Sequence, residues 1–120
     1  MGKILVVDDS YSELQLIQSA LGGLGHDLVT AMDGEEGERI ARSGNINLII
    51  LDVILPKKNG FQVCRELKKD DKFKHIPIIM VTSKDQDSDQ FWGLKQGANE
   101  YVKKPFNPAD LVKLVKKYLS

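Results

Sequence analysis

Leu48-Ile49-Ile50-Leu51-Asp52 is a run of large aliphatic side chains closed by a carboxylate. An apolar run without alternation reads as a strand buried on both faces, as in a parallel sheet covered by helices. Three further runs share the design: Ile4-Leu5-Val6-Val7 then Asp8-Asp9, Ile78-Ile79-Met80-Val81 then Thr82, and Tyr101-Val102-Lys103 then Lys104-Pro105. Parallel strands joined by helical crossovers put such ends along one edge. Three carboxylates, a hydroxyl and an ammonium would meet there. Carboxylates so grouped repel one another unless a cation lies among them, so the pattern asks for a metal.

Between these runs the apolar residues switch to helical spacing. Ser10 is placed to cap a helix whose Leu14, Ile17, Leu21 and Leu24 share a face, and Gly22, Gly23 and Gly25 end it. A short strand is expected near Leu28-Val29-Thr30-Ala31. Asp33-Gly34 opens a second helix running to about Arg42, with Ile40 and Ala41 as its modest apolar face. Pro56 and Gly60 bracket a loop before a third helix, where Phe61, Cys64 and Leu67 share a side. Pro77 precedes the fourth strand, Asp85 or Asp87 would cap the fourth helix, and Gly97 ends it. Asn107-Pro108 reads as cap and first-turn proline of a fifth helix with Leu111, Leu114, Val115 and Tyr118 inward. The alternation predicts one α/β domain over residues 1–120.

Composition bounds the rest. The 120 residues are 42% hydrophobic and 28% charged, ordinary for a globular domain. No apolar run nears the ~18 residues of a membrane span. The Met-Gly-Lys start leads directly into strand, without room for a signal peptide, and Val6 spoils a myristoylation signal. A single cysteine excludes an internal disulfide and fits a reducing compartment, so a cytoplasmic location is expected. Net charge is zero, yet residues 1–60 hold 5 basic and 9 acidic side chains, and residues 61–120 hold 12 and 8. Lys103, Lys104, Lys113, Lys116 and Lys117 make the C-terminal end basic, which suits a solvated face or an acidic protein partner. No recognition motif supports nucleic acid.

Val7-Asp8-Asp9-Ser10, Leu51-Asp52 with Pro56 and Asn59-Gly60, Val81-Thr82-Ser83, and Lys104-Pro105-Phe106, in that order, resemble the receiver domain of bacterial response regulators. The likeness covers essentially the whole chain. It implies a flavodoxin-like doubly wound parallel sheet of five strands, order 2-1-3-4-5, with five helices. It also implies that Asp52 accepts a phosphoryl group from a histidine kinase. Asp8, Asp9, Asp52 and the Ile54 backbone carbonyl would hold Mg²⁺, with Mn²⁺ able to substitute. Thr82 and Lys104 would bind the phosphoryl group, Tyr101 would be an aromatic switch, and the Lys104-Pro105 bond would be cis. Such a protein assists its own phosphorylation without being a turnover enzyme.

The chemistry of the residues agrees. Phosphoryl transfer needs positioning and charge neutralisation, which an oxygen-seeking ion and a flexible ammonium supply. Ile54 and Lys84, two positions after Asp52 and Thr82, are expected to tune phosphoryl lifetime. Phe91, Leu94 and Ala98 are read as the inward face of the fourth helix, with Trp92 at its edge. Trp92, Tyr101, Val112 and Leu119 are candidates for a partner face on helix four, strand five and helix five. Cys64 is read as core filler, and His26 and His75 receive no role.

The resemblance extends to stand-alone regulators of chemotaxis type and, through Phe91-Trp92-Gly93 and Lys95-Gln96-Gly97-Ala98, to those of twitching or phototactic motility. A phosphate sink, a piece of a longer regulator, and a monomer or weak homodimer all stay open. A phosphatase working through an aspartyl phosphate is disfavoured, because Ile54 stands where its acid/base aspartate would be.

Overall fold

In a computed structural model, which describes residues 2–119, strand and helix alternate five times. The order is β1 (Lys3–Val7), α1 (Tyr11–Leu21), β2 (Asp27–Ala31), α2 (Gly34–Ser43) and β3 (Leu48–Leu51). There follow α3 (Gly60–Lys69), β4 (Ile78–Thr82), α4 (Asp87–Lys95), β5 (Glu100–Lys103) and α5 (Pro108–Tyr118). The strands form one parallel sheet in the order β2-β1-β3-β4-β5, the flavodoxin-like topology expected.

The two-residue period of each strand divides the core in two. Leu5, Val7, Ile49, Leu51, Ile78 and Met80 pack with Ala41 of α2 and Val63, Cys64 and Leu67 of α3. Ile4, Val6, Leu48, Ile50, Ile79 and Val81 pack with Leu14, Ile17 and Leu21 of α1 and Leu111 and Val115 of α5. All twelve strand side chains are essentially inaccessible. Each contributes roughly 1.5–3 kcal/mol of apolar burial, which is why these runs tolerate no polar residue until the sheet edge. There the ladder continues: Asp52 N–H donates to Val7 O (3.0 Å) and Lys104 N–H to Thr82 O (2.8 Å). Sheet hydrogen bonding thus fixes the residues that follow the strands.

Helix starts mostly match the sequence. Ser10, Asp33 and Asn107 cap α1, α2 and α5 through their side-chain oxygens, and Asn59 caps α3 with Gln62 returning the bond. Before α4 the cap position is Gln86, not Asp85 or Asp87; Asp89 accepts from Gln86 N–H at 3.2 Å.

The inward face of α4 is also not the one expected, although Ala98, just past the helix, is buried in the core as read. Phe91 and Leu94 are exposed, as is Trp92, while Gly93 is buried. A Cβ on Gly93 would lie 2.8 Å from the Tyr101 ring and 2.9 Å from Met80 Sδ. The helix therefore rides on its glycine, and Phe91 points about 160° away from that line. On α5, Val112 and the following Leu119 pack against the α1/α5 core, and Leu119 reaches Gly2 at the N-terminal end of the sheet. They do not form one free face with Trp92.

Gly60 sets the entry to α3. A Cβ there would fall 2.1 Å from Asp52 O and 2.8 Å from Val53 Cα, both rigid backbone. Gly60→Ala is therefore expected to destabilise the fold by about 2–3 kcal/mol, read as a lower urea midpoint.

Candidate functional site

The sheet reverses winding between β1 and β3, and ligands of such folds bind at the strand ends beside that point. Asp8 follows β1 and Asp52 follows β3, whose last residues Val7 and Leu51 are register partners. Both carboxylates are buried, Asp8 at 2% and Asp52 at 6% exposure, whereas Asp9 is exposed. One carboxylate oxygen from each of Asp8, Asp9 and Asp52 lies within 4.8 Å of the others. Lys104 reaches across from the end of β5, its Nζ 2.8 Å from Asp8 Oδ2 and 3.1 Å from Asp52 Oδ2. Backbone N–H groups hold the other oxygens: Ser10 donates to Asp8 Oδ1 (2.9 Å) and Ile54 to Asp52 Oδ1 (3.2 Å). The Lys104-Pro105 bond is cis.

The electrostatics are unbalanced. Burial pushes the Asp8 carboxyl up, against the opposing pull of Lys104 and the Ser10 N–H. Burial also works against the Lys104 charge, but hydrogen bonds and charge from Asp8 and Asp52 hold it above its ordinary range. Lys104 is thus an ammonium shared by two carboxylates, with Asp9 as a third. The remaining negative charge, carried on hard oxygen donors beside an open cavity of about 500 Å³, fits a divalent cation.

The other sequence candidates lie around this core. Thr82 is fully buried, and its Oγ1 accepts from Lys84 N–H at 3.3 Å. Tyr101 is half-buried and its hydroxyl donates to Lys84 O at 2.7 Å. Burial and the carboxylates of Asp89, Asp52 and Asp85 push that phenol up to about 12, so it remains a donor. Ile54 is 53% exposed and lines the cavity mouth. The Lys84 ammonium does not line that cavity. It sits 3.5 Å from Asp89 and borders a neighbouring hollow with Leu55 and Phe61. Cys64 is core, its thiol pushed up to about 12 by burial.

Two lining residues had no role in the sequence reading. Ser83 faces the cavity in place of buried Thr82, and Glu13 stands on the rim one helical turn after Ser10. The signal for Glu13 is its place in the first turn of α1.

The sequence profile of the response regulator receiver domain matches residues 4–116. The chain belongs to that family. Among receiver relatives, it is 38% identical over 120 residues to protein PilH of Pseudomonas aeruginosa, covering 100% of this chain and 99% of that protein. It is 44% identical over 117 residues to the alkaline phosphatase synthesis transcriptional regulatory protein PhoP of Bacillus subtilis. That match covers 98% of this chain but 48% of PhoP, so the chain spans about half of that relative's length. The receiver domain of sensor histidine kinase PA1611 from Pseudomonas aeruginosa superposes with a TM-score of 0.89 at 28% identity, covering 98% and 97% of the two chains. That structure has a magnesium ion coordinated in its active site cleft. Among the described residues no helix is long and apolar enough to cross a membrane.

Proposed function

We propose that this receiver is a phosphorylation switch in which Asp52 takes a phosphoryl group from a histidine kinase. The observation that supports it most is the meeting of Asp8, Asp9 and Asp52 with Lys104 on one sheet edge. Asp8, Asp9, Asp52 and the Ile54 carbonyl would hold Mg²⁺, for which Mn²⁺ substitutes. When bound, the ion neutralises charge so that an anionic phosphoryl group can approach a carboxylate. An Asp52 oxygen forms the new bond to phosphorus, the phosphorus–nitrogen bond to the kinase histidine breaks, and the imidazole keeps that electron pair. Lys104, already on Asp52 Oδ2, turns to a phosphoryl oxygen. The protein is consumed and regenerated as a substrate, not a turnover enzyme.

Lys84 supplies the coupling. Its N–H is held by Thr82 and its carbonyl by Tyr101. When the Thr82 hydroxyl swings toward a phosphoryl oxygen, the Lys84 peptide is released and with it the Tyr101 ring under Gly93 of α4. Two states of this loop, biased by phosphorylation, would change the face carrying Trp92 and Tyr101. Exposed Phe91 and Trp92 suit a protein target. The near full-length match to PilH favours a motility or chemotaxis pathway; the receiver is taken to be cytoplasmic and monomeric or weakly dimeric. The match to half of PhoP favours a second reading, a receiver whose output lies in a further domain. Acyl-phosphate chemistry is common to both. Incubation with Mg²⁺ and acetyl phosphate should add one phosphoryl mass, and an unchanged intact mass would overturn the proposal.

Ile54 should lengthen the life of the acyl phosphate by covering the path of attacking water. Ile54→Asn is expected to lower that barrier by about 1 kcal/mol, roughly fivefold in rate. Comparing dephosphorylation of the two purified phosphoproteins checks it, and equal rates would remove Ile54 from the account.

A further inference from the structure

The loop from Val53 to Asn59, which carries Ile54, is held at Asp52 through the Ile54 N–H and beyond that is tied to α2. Gly34 N–H donates to Pro56 O at 3.3 Å, and a Cβ on Gly34 would collide with Lys58 O at 1.7 Å, so the loop lies directly on the first turn of α2. Lys57 holds a left-handed backbone (φ 70°), a conformation non-glycine residues keep only when neighbours impose it. Its ammonium lies 3.7 Å from Asp33. Lys58 Nζ donates to Glu38 Oε1 at 2.7 Å, with side chains 29% and 14% exposed. Glu38 is held in turn by Arg42 at 2.9 Å, and Arg42 by Asp70 at the end of α3 at 2.7 Å. Burial opposes the Glu38 charge, yet the bonds from Lys58 and Arg42 keep its carboxyl below the usual range.

We propose that the Lys58–Glu38 pair is a positioning clamp that fixes the β3–α3 loop against α2 and so sets the Ile54 carbonyl for a divalent cation. This rests on the metal site proposed above. A small octahedral ion tolerates little displacement of a ligand, and groups that orient ligands typically govern affinity by 10- to 100-fold. The clamp acts one step further out, through the backbone, so a loss of roughly three- to tenfold is expected when it is cut.

Charge and clamp make opposite predictions for Lys58. If only the local field mattered, Lys58→Met would remove a positive charge and tighten cation binding, while Glu38→Gln would weaken it. A clamp predicts that both weaken it and that Lys58→Arg, which keeps the ion pair, binds as wild type. The measurement is Mn²⁺ affinity from the electron paramagnetic resonance signal of free Mn²⁺, with Asp8→Asn as control and circular dichroism confirming each fold. Weaker binding in both Lys58→Met and Glu38→Gln, with Lys58→Arg unchanged, is the expected result. Tighter or unchanged binding by Lys58→Met overturns the clamp while loss of binding in Asp8→Asn leaves the metal site standing. Full binding by Asp8→Asn overturns both.

Discussion

Asp52→Asn should gain no phosphoryl mass under conditions in which the wild type gains one. The substitution keeps the shape of a side chain that is 6% exposed and its acceptor for the Ile54 N–H. It removes the anionic oxygen that must form the bond to phosphorus, since an amide is a far weaker nucleophile at neutral pH. Lys104 retains Asp8 at 2.8 Å, so the variant keeps a partner for its buried ammonium and should fold. The adduct itself has a signature. An acyl phosphate is cleaved by hydroxylamine, whereas a phosphate ester on Ser10 or Ser83, both lining the cavity, is not. The expected result is therefore a hydroxylamine-labile adduct on the wild type and none on Asp52→Asn. An undiminished labile adduct on the variant would sink the assignment, and a hydroxylamine-stable one would move it to a serine.

How much of this could be read from the chain depends on which physical signal each feature leaves. Doubly buried strands leave a strong one: Leu48–Leu51 and Ile78–Val81 can hardly be placed anywhere except between two helical layers. The residues at the strand ends inherit a place on one edge: Asp8, Asp52 and Thr82 follow or end buried strands, and Lys104 follows the half-buried β5. Helix α4 failed because a reading by hydrophobicity gives the inward face to the largest side chains. Close approach to Tyr101 and Met80 instead selects the smallest, Gly93, and turns Phe91 and Leu94 outward. Hydroxyl orientation leaves no trace in sequence. Thr82 was legible as a site residue, but not that its hydroxyl points to Lys84 N–H with Ser83 facing the cavity. Ion pairs between distant segments are silent as well. Lys58 and Glu38 lie 20 positions apart, and Lys84 choosing Asp89 over the cavity is settled by loop geometry. Leu119 looked like spare apolar surface until packing placed it at the opposite end of the sheet from the acceptor.

Asp8→Asn is expected to uncouple stability from the metal, in two opposite directions. Asp8 pays for its burial: desolvation pushes its carboxyl up despite the bonds from Lys104 and Ser10 N–H. A carboxyl raised in the folded state contributes stability that is fully present below its unfolded value, near 3.9 for aspartate, and lost as pH rises through the folded value. The metal-free wild type loses that contribution as the pH rises. Asparagine is neutral at every pH and still offers an oxygen to the same donors, so the metal-free variant should melt higher than the wild type at pH 7. The gap should close as the pH falls toward 4 and Asp8 itself is neutralised. Addition of Mg²⁺ should reverse the order. At a concentration of about one hundred times Kd, a ligand that binds only the folded state stabilises it by about 2.7 kcal/mol, roughly 10 °C for a domain of this size. The wild type should show that rise and the variant almost none, because the site has lost one of its two buried carboxylates, each within 4.8 Å of the others. Thermal melts with and without Mg²⁺, at pH 4 and pH 7, test both halves. A variant that is less stable without metal would mean that Lys104 more than offsets the burial of Asp8. A variant that keeps the full Mg²⁺ response would mean that the ion is not held by Asp8.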